Sequence, residues 1–263
     1  MKYLEKIINC ASYNEDPVSS DFELKYLVDS KRSAEIRSFF KKNTELDLDS
    51  IALSKKSTWE KSIEIANFIA KNIPHDNQKE GLKEKNAITL WEYSRRISTG
   101  FNCRWHSILL SELLLSIGIR NRFITCSPEN PEDNECHVVN LVWLPELKKY
   151  AMIDSDMKEY VTDEKGIPLS LREMRLIIKQ GKKLIINPFP DFESYTIDTD
   201  SFNEYWSKNL YWFSAHTVYG FDLEGRTNPE DNYVCLVPPG YDCSHHYIGK
   251  TITSNEKVFW DEI

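Results

Sequence analysis

The sequence predicts an α+β protein in which one central helix lies against an antiparallel sheet. Three observations lead there. The run 103–117 is apolar on nearly every face, the mark of a buried helix. Three strand patterns follow it, NRFITC, HVVNLVWL and KKYAMIDSDM. The links between them are short and polar, and such links join antiparallel neighbours.

Residues 1–50 read as short helices, among them SAEIRSFFKK, and their polarity suggests a surface lobe. STWEKSIEIANFIAKNIP is an amphipathic helix. Ser57 and Glu60 have capping-box spacing, Trp59, Ile63, Ala66, Ala70 and Ile73 recur at helical spacing, and Pro74 ends it. AITLWEYSRRI is a second helix. The central helix follows, with Asn102 as N-cap and Gly118 just past its end. Beyond the three strands, DEKG is a turn, LREMRLIIKQG a helix, and SFNEYWSKNLYWFSAH an aromatic-rich helix. NYVCLVPPG and EKVFW are expected to be late strands. With no linker visible, the 263 residues are expected to form one domain: a helical extension over 1–54, a core over 55–157 and a C-terminal extension over 158–263. A chain of this length can bury a sizeable core without a disulfide framework.

Hydrophobic residues make up 41% and charged residues 28%, a soluble globular composition. The formal net charge of −8, with no basic cluster, argues against nucleic acid and against an anionic membrane surface as partners. No apolar run is long enough to span a bilayer, and MKYLEKIINC, interrupted by Glu5 and Lys6, has no long apolar region, so a secretory signal is expected to be absent or already removed. Six cysteines without a CxxC pair read as reduced thiols, and a cytoplasmic location follows. A Cys126–Cys136 bridge would require an oxidising compartment.

Cys103 opens the buried helix, where the helix dipole favours a thiolate. A thiolate nucleophile needs a base and a group to orient that base. His137 begins the second strand and Asp154 lies on the third, so antiparallel pairing can set them side by side. An imidazole between a thiol and a carboxylate has the logic of a catalytic triad. Asp156 is a rival to Asp154, because residues two apart share a strand face. The Cys103 N–H is one oxyanion donor. Asn102, Trp91 and Asn77 are candidates for the second. His106 is expected to be a buried, hydrogen-bonded residue on the same rigid helix as Cys103. The other five cysteines lack a visible cationic partner, so Cys103 is expected to be the most reactive thiol below pH 7.

Residues 55–157 resemble the transglutaminase-like superfamily, which shares the papain-type Cys-His-Asp arrangement. WEKSIEIANFIAKNIPHD is similar to its leading helix, GFNCRWHSILLSELLLSIGIRNRFITC to its cysteine helix and following strand, HVVNLVW to its histidine strand and YAMIDSDM to its aspartate segment. The resemblance implies a papain-like core with Cys103 as nucleophile, His137 as base and Asp154 as orienting group, and no cofactor or metal. The implied activity is acyl transfer from a peptide or protein amide through a thioester. Water as acceptor makes the protein a cysteine peptidase or amidase, the reading preferred here. An amine as acceptor makes it a protein-glutamine transamidase. A non-catalytic interaction module on the same fold is a third possibility.

Three other features carry weaker readings. Cys235, Cys243, His245 and His246 could ligate zinc, but their spacing fits no zinc pattern and a polar turn is the plainer reading. Tyr205, Trp206, Tyr211, Trp212 and Phe213 are expected mainly to pack the added helix, with some rings able to line a cleft. The loop SPENPEDNE, with Glu129, Glu132, Asp133 and Glu135, reads as a solvated hairpin tip. Its functional alternative is attraction of cationic substrates.

Overall fold

A computed structural model describes residues 2–15, 22–77, 82–96, 100–130, 132–133, 135–224, 233–241 and 251–260. Cys243, His245 and His246 lie outside the described residues.

The protein is α+β. The N-terminal part holds α1 (Lys2–Asn9), β1 (Lys25–Leu27), α2 (Ser30–Asn43), α3 (Leu48–Leu53), α4 (Thr58–Asn72) and α5 (Ala87–Ser94). The centre is α6 (Cys103–Ser116) followed by β2 (Asn121–Ser127), β3 (His137–Leu144), β4 (Lys149–Asp154) and β5 (Glu159–Thr162). The rest contributes α7 (Leu171–Lys179), β6 (Ile185–Pro188), α8 (Thr199–Asn209), β7 (Trp212–His216), β8 (Val218–Gly220), β9 (Tyr233–Leu236), β10 (Thr251–Thr253) and α9 (Glu256–Trp260).

Eight strands form one sheet in the order β10-β9-β7-β2-β3-β4-β5-β6, antiparallel except for the β9–β10 pair. Both faces are covered. Val138 and Val142 of β3, with Ala151 and Ile153 of β4, join a core with α2, α4, α5 and α6. The intervening Val139, Leu141, Tyr150 and Met152 join a second core with α1, α7, α8 and α9. Two buried faces explain why β3 reads as a nearly continuous apolar run rather than a clean alternation.

Several sequence expectations are corrected. Residues 1–50 are more than a surface lobe, because Ile36 and Phe40 of α2 and Leu48 of α3 are buried in the same core as α6. The helix expected over 201–216 stops at Asn209, and Trp212–His216 is a strand between β2 and β9. Tertiary pairing decides this, since without β7 one edge of β2 would bury unpaired backbone groups. EKVFW is helix α9 instead of a strand. Arg122, fully buried on β2, donates from Nη1 to the Phe259 carbonyl (2.7 Å) and from Nη2 to the Trp260 carbonyl (2.6 Å). Those bonds satisfy carbonyls that a helix C-terminus leaves without intrahelical partners.

Polar stitches fix α6 against the sheet. Ser107 Oγ donates to the Val138 carbonyl (2.9 Å), Asn140 Nδ2 to the Ser107 carbonyl (3.0 Å), and Asn121 Nδ2 to the Ser111 carbonyl (3.1 Å). These buried bonds set the register of the helix relative to β3, and so the position of Cys103 relative to His137. On the far side of α6, the buried Glu112 carboxyl accepts from the Ala87 N–H and the Asp222 N–H, both at 2.7 Å. Burial pushes this carboxyl up to about 7, against the pull of the two N–H groups. Glu112→Ala would strand two buried donors, so it is expected to cost about 2–4 kcal/mol. Urea unfolding measures this, and a loss below about 0.5 kcal/mol would show the two bonds to be dispensable.

Candidate active site

Asn102 caps α6: its side-chain oxygen accepts from the Trp105 N–H at 3.0 Å. The segment before it is clamped. Phe101 donates its N–H to the Pro74 carbonyl (2.9 Å) and accepts from the Asp76 N–H (2.8 Å). Its buried ring packs edge-on against Trp105, with centroids 5.2 Å apart. The strand-like contact between 74–76 and 101 thus holds the chain just ahead of Cys103.

Cys103 is half-buried at the first position of α6, and His137 is buried at the first position of β3. By alternation His137 belongs with Val139 and Leu141, on the face opposite α6. Both residues open their elements, and at that end of the sheet the strand has just begun and no longer separates the faces. A side-chain hydrogen bond with Cys103 is one of the influences on the His137 ring. On the other side of that ring, His137 Nε2 donates to Asp154 Oδ2 at 2.5 Å. Asp154 takes Nε2, so Nδ1 is the ring nitrogen left for the thiol.

Asp154 ends β4 and is held rigidly. Its Oδ1 accepts from the Asp156 N–H (2.9 Å) and the Met157 N–H (3.0 Å), within the turn that leads to β5. Burial works against charge on both partners, but their mutual attraction prevails. The His137 ring is raised well above its ordinary value by the Asp154 carboxylate, with Cys103 adding to the effect. Asp154 is lowered by the His137 charge and by its hydrogen bonds.

Asp156 lies elsewhere. Strand alternation does not reach it, because β4 ends at Asp154 and Asp156 sits in the turn. Its carboxylate accepts from His75 Nδ1, 2.9 Å from both oxygens, and lies 3.5 Å from His106 Nε2. His106 is buried as expected, but neither ring nitrogen makes a well-formed side-chain hydrogen bond. Burial lowers its pKa, the Asp156 charge opposing.

Of the oxyanion candidates, Trp91 is distant in role: it stacks on Phe68 and packs against Phe40 inside the helical core. Asn77 is exposed, and the Asn102 side-chain oxygen serves as the helix cap. The first two N–H groups of α6, on Cys103 and Arg104, have no backbone partner within the helix and point out of its start. They are a ready donor pair that sequence reasoning credited only in part.

The aromatic cluster divides. Trp206 and Phe213 are buried in the second core, and Phe213 packs on Trp260 with centroids 4.9 Å apart. Tyr205 is half-buried and meets the His137 ring edge to face at 5.6 Å, alongside Trp206 at 5.5 Å. Helix α8 therefore forms a wall beside the site. Lys208 of the same helix pairs with Asp133 (2.8 Å) and Glu135, and Lys6 pairs with Glu129. The acidic hairpin before His137 is thus tied to two helices through Glu129, Asp133 and Glu135.

Arg104, next to Cys103, is enclosed by Glu224, Tyr233 and His216. The Glu224 carboxyl is lowered to about 2 despite burial, through the His216 and Arg104 contacts. Nothing in the local sequence signals this cluster, whose members come from four separate segments.

The described cysteines are free thiols, so Cys126 and Cys136 are not bridged. Burial raises both thiols, Cys126 strongly. The expectation that no other cysteine has a cationic partner is corrected by Cys10. Its sulfur lies 2.8 Å from Arg175 Nη2 and 3.7 Å from Lys179 Nζ, a contact between α1's end and α7 that sequence distance hides.

No protein-family model matches the chain, and no curated protein does. Among solved structures it is similar in part to "a Putative Cysteine Protease from Cytophaga hutchinsonii". That likeness covers 55% of this chain and 46% of the other, at 14% identity and a TM-score of 0.33. The matched part thus spans under half of that protein's length. No helix among the described residues is long and apolar enough to cross a membrane.

Proposed function

We propose that the protein is a cysteine hydrolase of transglutaminase-like type that cleaves an amide through a thioester. The observation that carries this reading is His137 held by Asp154 at the start of β3, with Cys103, at the open end of a buried helix, acting on the same ring. Cys103 is the proposed nucleophile, His137 the acid and base, and Asp154 the orienting group.

The cycle follows from those positions. With its proton on His137, the Cys103 sulfur attacks the amide carbonyl and forms a C–S bond, and the carbonyl oxygen takes the negative charge. The N–H groups of Cys103 and Arg104 face that oxygen as donors. His137 gives its proton to the amide nitrogen, the C–N bond breaks, and the amine leaves with the acyl group as a thioester on Cys103. His137 then removes a proton from water, the resulting hydroxide attacks the thioester, and the C–S bond breaks to release the acid. The Cys103 thiolate is left beside protonated His137, the form in which the cycle began. Asp154 stabilises the imidazolium and fixes the ring by its Nε2 throughout.

Limiting iodoacetamide at pH 6, followed by peptide mapping, tests the assignment. Cys10, with its cationic neighbours, is the rival thiol and is removed as Cys10→Ser. In that background Cys103 is expected to be alkylated first, and His137→Ala to slow its labelling by about tenfold or more, since the imidazole that takes the thiol proton is gone. Prior labelling of the exposed Cys136, or an unchanged rate in His137→Ala, would make Cys103 a packing residue.

A further inference from the structure

Glu159 opens β5 directly across from Asp154, which ends β4. Cross-strand neighbours of this kind place their Cβ atoms about 4.5–5.5 Å apart on one face of the sheet. Glu159 is 4% exposed. Its carboxyl has no hydrogen bond among the described residues, whereas the two Asp154 oxygens take three donors from His137, Asp156 and Met157. Two buried carboxyls therefore share one site with unequal support. The better solvated one, by protein donors, carries the negative charge, and its neighbour keeps a proton.

We propose that Glu159 is a positioning residue of the Cys103–His137–Asp154 site: a second buried carboxyl, set directly across the sheet from Asp154, whose charge adds to the Asp154–His137 pair and so holds the imidazolium in place. This rests on the proposed hydrolase reading.

The groups facing Glu159 come from several elements. β4 presents Asp154, β3 beyond it presents His137, and the intervening turn carries Lys158. β6 sets the uncharged Pro188 opposite it. Burial first and the Asp154 charge second push the Glu159 carboxyl up to about 8, with His137 and Lys158 pulling the other way. His137 is itself raised well above its ordinary value, chiefly by the Asp154 charge. Coupling between two sites is reciprocal: if the His137 cation lowers Glu159, the Glu159 anion must raise His137. A new anion beside the imidazolium delays loss of the His137 proton. The alkaline limit of the thiolate–imidazolium form is thereby extended, and the acid limit is untouched, because Glu159 is neutral there.

The test is NMR titration of full-length protein labelled at histidine and at the glutamate carboxyl carbons. In Glu159→Gln the His137 midpoint is expected to fall by about 0.5–1 pH unit, a three- to tenfold loss of proton affinity typical of removing one nearby anion. Replacement of a residue that only packs would leave the midpoint in place, and an unmoved midpoint in the folded variant overturns the proposal. Should Glu159→Gln not fold, the wild-type carboxyl carbon decides: an inflection close to pH 8 is expected, and one near the ordinary glutamate value overturns the idea. A His137→Ala variant that labels Cys103 as fast as wild type would sink the hydrolase reading instead, and that result leaves the NMR midpoints unaffected.

Discussion

Cys103→Ala is expected to abolish the burst of p-nitrophenolate released when the protein meets p-nitrophenyl acetate, an activated ester that needs only a competent nucleophile. His137→Ala should reduce acylation about 10⁶-fold, and Asp154→Asn roughly 10⁴-fold, the losses found when such triad members are removed. The double variant Cys103→Ala/His137→Ala should be no worse than Cys103→Ala alone, because groups that act as a unit lose their effect together. The pH behaviour has a definite sign. Folded His137 holds its proton more tightly than an ordinary histidine, so the stabilisation it brings is full below about pH 6.5. That stabilisation drains away as pH rises through the raised folded value. Asp154 behaves oppositely: its contribution is present above the ordinary carboxylate range and is lost as pH falls through its lowered value. Stability of wild type minus that of His137→Gln, followed by urea unfolding from pH 3 to 10, should therefore peak between those limits. A burst of undiminished size in Cys103→Ala, or a pH-independent difference, contradicts the arrangement.

Gly100→Ala is expected to cost about 3 kcal/mol, the upper end of ordinary overpacking. A Cβ built at Gly100 would lie 1.7 Å from the Pro74 carbonyl oxygen and 2.4 Å from its carbon. Both are backbone atoms, so no side-chain rotation relieves the clash. The same carbonyl accepts the Phe101 N–H, so the strain falls on the clamp that positions the start of α6. For a chain of this size the cost corresponds to a fall in Tm of roughly 6–12 °C. Cys103 labelling should slow in the surviving folded protein as well, because Asn102 and Cys103 follow immediately. Calorimetry alongside iodoacetamide mapping checks both parts. A Tm within about 2 °C of wild type, the shift of less than 1 kcal/mol, would mean that the two segments can part without loss.

Much of the central architecture is legible without coordinates because it depends on local pattern. The all-round apolar run after Cys103 can only be a buried helix, and Asn102 one residue before it is a cap by chemistry alone. Ser57 and Glu60 do form the reciprocal capping box read from their spacing. The strands 121–127, 137–144 and 149–154 pair antiparallel in sequence order, as their short links require. The residues after Asp154 illustrate where pattern fails. Alternation assumes that a strand continues, and only the turn hydrogen bonds to Asp154 Oδ1 show that it does not, which sends Asp156 to His75.

The sequence by itself determined the elements whose stability is local: the buried central helix with its cap and the three strands behind it, with Cys103, His137 and Asp154 as the candidates it offered for a shared site. Tertiary structure alone decided which side chains meet. Trp212–His216 became a strand because the edge of β2 had to be paired, and Glu256–Trp260 a helix whose last carbonyls are met by a buried arginine far away in sequence. The same holds for Glu159 beside Asp154, Tyr205 beside His137 and Arg175 beside Cys10. The physical reason is common to all of them. Helix periodicity and capping act over a few residues and leave a trace in the sequence, whereas burial, charge pairing and edge pairing act between segments whose separation along the chain carries no record of their distance in space.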